Sequence, residues 1–263
     1  MVSKRFLLIL LAVFLSLPAL CAQSAPQAAK PVQPAEIDVT PHPENPPPPL
    51  SASDRADLYM IRKMLREAIE QYKSLPPTAS TMNKIGVAYH QMSDLPTAKK
   101  YYQRAIKMNR KYPDAVNNLG TIYYAYKDYG RAVSQYKKAL ALGPNTASFY
   151  SNLGTAYFAR KQYQEASEAY QKAVSLDKDV FDHHSPNGEL MQERTIEEHA
   201  KFHYYLAKTF AKAGDTAHAI QYIRRSIEEG FKDRQKFIEE PEFAGLQDLP
   251  EFKEVMALEP RVL

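Results

Sequence analysis

The chain has no tryptophan, one cysteine and only nine glycines in 263 residues. A single cysteine leaves no internal disulfide, so nothing covalent holds the fold together. No apolar run reaches the roughly 20 residues that a membrane-spanning helix needs. A phosphate-cradling glycine loop, a nucleophile elbow and an HExxH pair are all missing, and with them the motif-borne forms of that chemistry. Charge does not lean to one side either. The 34 basic and 30 acidic residues leave a formal +4, interspersed along the chain. Nucleic-acid binding calls for a concentrated basic stripe, and none is present. The sequence reads as non-catalytic, without cofactor or metal.

What is present is a period. Gly86, Gly120 and Gly154 stand 34 residues apart, and their neighbours recur with them. Counting units from Ala79, Pro113 and Ala147, the seventh position holds Ile85, Leu119 and Leu153, and the eleventh Tyr89, Tyr123 and Tyr157. The twentieth holds Ala98, Ala132 and Ala166; the twenty-fourth, Tyr102, Tyr136 and Tyr170; the twenty-seventh, Ala105, Ala139 and Ala173. Val116, Leu119, Gly120 and Tyr123 fall on one face of a helix, and Tyr129, Ala132, Val133, Tyr136, Ala139 and Leu140 on one face of the next. A helix pair of this size cannot bury its apolar face alone and stacks on copies of itself. Glycine and alanine mark the crossing points.

The columns resemble the tetratricopeptide repeat over residues 79–180. The resemblance implies an all-α, right-handed superhelical array of antiparallel helix pairs with N- and C-terminal capping helices, and a non-catalytic scaffold that holds a peptide or protein segment. Repeats span 79–112, 113–146 and 147–180. A degenerate fourth, 200–233, has Ala207 in the glycine column and Ser226 at position 27. Between them lies an insertion, 181–199, at whose end Thr195 and Glu198 form a capping box that starts a helix at Ile196. The stripe Leu58, Ile61, Leu65, Ala68, Ile69, Tyr72 predicts one capping helix over 53–75. Capping helices are also expected over 234–258, where Pro241-Glu242-Phe243 and Pro250-Glu251-Phe252 repeat one helix-starting device. That segment resembles the one closing such arrays in some bacterial proteins.

Residues 1–22 have the layout of a secretory signal: Lys4 and Arg5, an apolar stretch, then small residues before a cut after Ala22. Nine prolines make 23–52 an expected disordered linker. The chain is thus expected to be exported to the periplasm or secreted, within a bacterial envelope, with no membrane span after signal removal. A lipid anchor on Cys21 is the alternative, disfavoured by Leu20 where a small residue belongs.

In this family, positions two, five, nine and twelve of each first helix line a concave groove. The resemblance therefore points to Asn83, Asn117 and Ser151, to Thr121 and Thr155, and to His90, Tyr124 and Phe158. Asn118 and Asn152, at position six, border the same surface. In the fourth unit the positions fall on Lys201, Tyr204 and Lys208. With Lys212 they are expected to make that end positive and to steer an acidic segment. Asparagine can pair with a peptide backbone; its bland reading is hydrogen bonding within the array. Relatives that grip C-terminal carboxylates carry a cationic clamp where this chain has Asn83, Val87, Ser148 and Asn152, so that ligand is excluded. A second reading is a metal site built from His183, His184, His199 and His203.

Overall fold

The computed structural model describes residues 50–182 and 195–259. The expected leader, the linker up to residue 49 and most of the insertion lie outside the described residues. Among those described, every element is helical: α1 (Ala52–Ile61), α2 (Leu65–Lys73), α3 (Ala79–Gln91), α4 (Leu95–Met108), α5 (Pro113–Ala125), α6 (Tyr129–Leu142), α7 (Ala147–Ala159) and α8 (Tyr163–Leu176) come first. They are followed by α9 (Ile196–Ala213), α10 (Thr216–Glu228), α11 (Lys236–Glu239), a 3₁₀ segment (Pro241–Leu246) and α12 (Pro250–Met256). Consecutive helices pack in pairs, α1 on α2 through α9 on α10, and each pair packs on the next. The result is an array of helix hairpins.

One turn builds all five hairpins among the described residues. Its first helix ends in a residue of left-handed conformation, Lys63, Ser93, Lys127, Lys161 and Gly214, with φ between 59° and 77°. The next backbone N–H then reaches back five residues: Met64 to Tyr59, Asp94 to Tyr89, Asp128 to Tyr123, Gln162 to Tyr157 and Asp215 to Phe210, at 2.9–3.0 Å. This is a Schellman closure, which satisfies carbonyls that a helix end leaves open. Asp94, Asp128 and Asp215 then cap the second helices with their side chains. Only the last turn has glycine in the left-handed position, although a Cβ there costs about 1–2 kcal/mol.

The glycine column has a second reason. A Cβ on Gly86 would lie 2.6 Å from Cε1 of Tyr102, one on Gly120 the same distance from Tyr136, and one on Gly154 closer still to Tyr170. The three tyrosines are at most 1% exposed. In the fourth repeat, α9/α10, the exchange is mutual. Ala207 replaces glycine and Ile223 replaces tyrosine, both fully buried, so the larger residue meets the smaller one. Ser226, in place of alanine, donates to the Ala200 carbonyl at 2.7 Å.

The start of the array differs from the single helix expected over 53–75. Ser51 caps α1, and the stripe is interrupted at Arg62–Met64 by the hairpin turn. Ala56, Tyr59, Ala68 and Tyr72 repeat the glycine and tyrosine columns 30 residues before Gly86, Tyr89, Ala98 and Tyr102. This is a full helix pair whose second helix has nine residues where α4 has fourteen. The shortened step hides it from a 34-residue count. At the other end, Phe243 and Phe252 are buried behind Pro241 and Pro250. Arg234 ties this lid down by donating to the Leu258 carbonyl at 2.7 Å.

Candidate functional site

The first helices α3, α5, α7 and α9 bring the predicted groove positions into successive contact, and position six connects them. Asn118 Nδ2 donates to Asn83 Oδ1 at 3.0 Å, and Asn152 Nδ2 donates to Asn117 Oδ1 at 3.0 Å. Asn117 Nδ2 joins the two by donating to Asn118 Oδ1 at 3.3 Å. Four side-chain amides thus form one directional row, Asn152 to Asn117 to Asn118 to Asn83. The carbonyl oxygen of Asn152, at its head, is buried and has no hydrogen-bond partner. In the first unit position six is Lys84, which reaches back to both carboxylate oxygens of Asp57 on α1 at 2.7 Å. Burial raises the Asp57 carboxyl's proton affinity, but Lys84 and the Tyr72 hydroxyl outweigh it and hold the group below its usual range.

The hydroxyls beside this row close locally. Thr121 donates to the Asn118 carbonyl at 2.7 Å, Ser151 to Ser148 at 3.0 Å and Thr155 to Ser151 at 2.9 Å. The aromatic twelfth positions pack on the residue that opens the following helix. Tyr124 meets Tyr129 at 5.1 Å between ring centroids, and Phe158 meets Tyr163 at 5.5 Å. His90 lies edge-on to Tyr102, its Nδ1 at 3.5 Å from the hydroxyl. Most of the predicted residues are buried: Asn83, Asn117, Thr121, Tyr124, Ser151, Asn152, Thr155 and Phe158 are all at most 7% exposed. His90, Asn118, Lys201 and Lys208 are half-buried. The asparagines serve the internal hydrogen bonding of their bland reading.

Protein-family models for the tetratricopeptide repeat match residues 78–112 and 147–180, and one for the TPR repeat matches 121–159. Residues 78–112 and 121–180 thus match tetratricopeptide repeats. The pairs α1/α2 and α9/α10 lie outside the matched spans but use the same turn. Among solved structures, the APC/C hetero-tetramer Cut9–Hcn1 is 19% identical with a TM-score of 0.50, over 78% of this chain and 35% of that one. MamA 41-end from Desulfovibrio magneticus RS-1 is 21% identical, with a TM-score of 0.46 over 68% and 92%. YrrB, described as a TPR protein with an unusual peptide-binding site, is 20% identical, with a TM-score of 0.42 over 49% and 68%. No curated protein sequence matches the chain.

At the fourth repeat one of the three expected cations is paired within the chain. Lys208 is held by Glu240 at 2.9 Å and Glu242 at 3.4 Å, from the 3₁₀ lid. Burial opposes the Lys208 charge, but these two carboxylates more than restore it. Tyr204 donates to Glu240 and is 3% exposed, its ring stacked on Phe231 at 4.7 Å. Lys201 caps the Tyr163 ring at 3.9 Å. Of the cationic end predicted from Lys201, Lys208 and Lys212, Lys201 therefore keeps its charge over a ring and Lys212 is exposed, while Lys208 is neutralised from within. The glutamates that do this stand more than thirty residues away, and no local spacing announces them. Sequence reasoning also missed the aromatic set around Tyr205, which stacks on Tyr163 at 5.1 Å and meets Phe158 at 6.0 Å. Tyr205 occupies position six, where asparagine stands in repeats two and three, so the same count could have found it.

For the metal reading, His183 and His184 lie outside the described residues. His203 Nδ1 pairs with Glu229 at 2.6 Å and its ring leans on Tyr222; among the described residues, neither it nor His199 belongs to a cluster of three or more groups that could hold a metal ion. Among the described residues, no helix is long and apolar enough to cross a membrane.

Proposed function

We propose that this chain is a non-catalytic scaffold of the cell envelope that holds an extended peptide or protein segment against the first helices of its repeats. One observation carries the reading: the directional row of asparagine amides that links α3, α5 and α7. The row fixes the first helices in register, so the surface beside it is preorganised for a ligand. Half-buried Asn118 and Tyr205 border this surface and offer an amide and an aromatic edge. No nucleic-acid or cofactor role is part of the proposal. Residues 1–22, read as an export signal, supply the envelope location.

Photo-crosslinking from the full chain in its native cells tests this. A photoreactive residue at Asn118 or Tyr205 is expected to capture one discrete partner, and the same residue at exposed Lys138 on α6 is not. Capture from Lys138 alone, or equally from all three sites, overturns the groove reading.

A further inference from the structure

His218, in the first turn of α10, has a carboxylate at each ring nitrogen. Nδ1 lies 2.7 Å from Asp215, the residue that caps its own helix, and Nε2 lies 2.8 Å from Asp182, in the turn after α8. A second carboxylate of that turn, Asp179, stands 4.0 Å from Nε2. A neutral imidazole donates from one nitrogen only and would set its lone pair against a carboxylate at the other. Only the imidazolium satisfies both. The ring is fixed in place by stacking on Phe210 at 4.8 Å, and Phe210 stacks in turn on Tyr222. The Tyr222 hydroxyl also donates to Asp182, at 3.3 Å. Phe181, beside Asp182, wedges between the rings of Tyr170 and Phe210.

We propose that His218 is a proton-operated clasp: as an imidazolium it ties the Asp179–Asp182 turn to the fourth repeat, and on losing its proton it lets that turn go. Asp182 is the last described residue before 183–194. The charges acting on this cluster are Asp215, Asp182 and Asp179, with Lys178 acting on Asp215 and Arg225 lying 5.0 Å from the Tyr222 ring. Burial favours the neutral ring, but Asp215 and Asp182 outweigh it and raise the imidazole's proton affinity. Asp215 moves the opposite way: burial would raise it, and His218 holds it below its usual range. Because the folded value is raised, the tie is complete below the ordinary histidine value of about 6.5 and is lost as pH climbs through the raised one.

The test is an NMR titration of the full chain, following the His218 ring and the amide exchange of Val180–Asp182, corrected for the intrinsic pH dependence of exchange. The ring is expected to titrate above its ordinary value, with exchange in the turn speeding roughly tenfold across the same range. Asp182→Asn is expected to bring the ring's titration down, and His218→Gln to leave the turn fast at every pH while the overall melt is retained. An unshifted ring, a pH response that survives in His218→Gln, or protection that EDTA abolishes at every pH overturns the proposal. The last outcome would make the cluster a metal site instead.

Discussion

The three regular repeats and the region after residue 196 solve the same packing problem by different means. In repeats one to three, each contact is stamped from a column: glycine under tyrosine, and position six reaching back to the repeat before. In the fourth repeat and its lid, contacts are individual. Lys208 finds Glu240 and Glu242, His203 finds Glu229, and Tyr204, Phe231, Phe237 and Phe243 form one aromatic cluster. The comparison teaches that the repeated region is held by shape in recurring columns, and the terminal region by individual charge and ring contacts. Changes that test shape should therefore hurt the first region, and salt should weaken the second.

The largest expected effect is at the glycine column. Gly120→Ala drives a Cβ into the buried Tyr136 ring and is expected to cost roughly 1–3 kcal/mol in denaturant unfolding. Adding Tyr136→Ile recreates the alanine and isoleucine pairing of Ala207 and Ile223, and is expected to recover part of that loss. Equal loss in the double variant would break the claim that the fourth repeat made a compensated exchange. Next comes Lys208→Ala, which leaves two half-buried carboxylates facing each other beside Tyr204. It is expected to cost about 1–2 kcal/mol at low salt and less at high salt. A loss that does not depend on salt would remove the electrostatic side of the comparison.

Asn117→Ala cuts the amide row at the buried one of its two middle residues, and is expected to cost about 1 kcal/mol with no salt dependence. Asn118→Ala, which cuts it at a half-buried site, should cost less. The smallest effect is a gain. Lys161 holds a left-handed conformation at φ 61°, where Gly214 does the same work in the fourth repeat. Lys161→Gly is expected to add a few tenths of a kcal/mol, the relieved Cβ strain being partly offset by the greater freedom of the unfolded chain. A loss on this change would mean the lysine side chain contributes more than its backbone costs.

The repeated half was legible because its contacts recur at one spacing and use few residue types. Ala79, Pro113 and Ala147 begin helices in the structure as counted from the sequence. The α1/α2 pair escaped because its second helix is short, which shifts its columns by four residues although Ala56, Ala68 and Tyr72 occupy them. The candidate site was legible only in part. Counting placed Asn83, Asn117 and Asn152 on the right helices, but it could not tell a side chain facing a ligand from one facing the next repeat. Burial decides that, and burial depends on neighbours from other units. Lys208 shows the same limit for charge, since its neutralising partners come from the lid.

The asparagine row also acts as a gauge of length. Both of its links between repeats join residues 35 positions apart, one unit plus one residue. A repeat one residue longer or shorter would turn its sixth position away from the fifth position behind it and open the row. Neither link occurs where the spacing changes, at the short step after α2 or across the insertion before α9. In its regular stretch the array can lengthen only by whole copies of itself. A duplication of residues 113–146 would add one more link, whereas a single-residue insertion in α6 would be recorded as a missing bond.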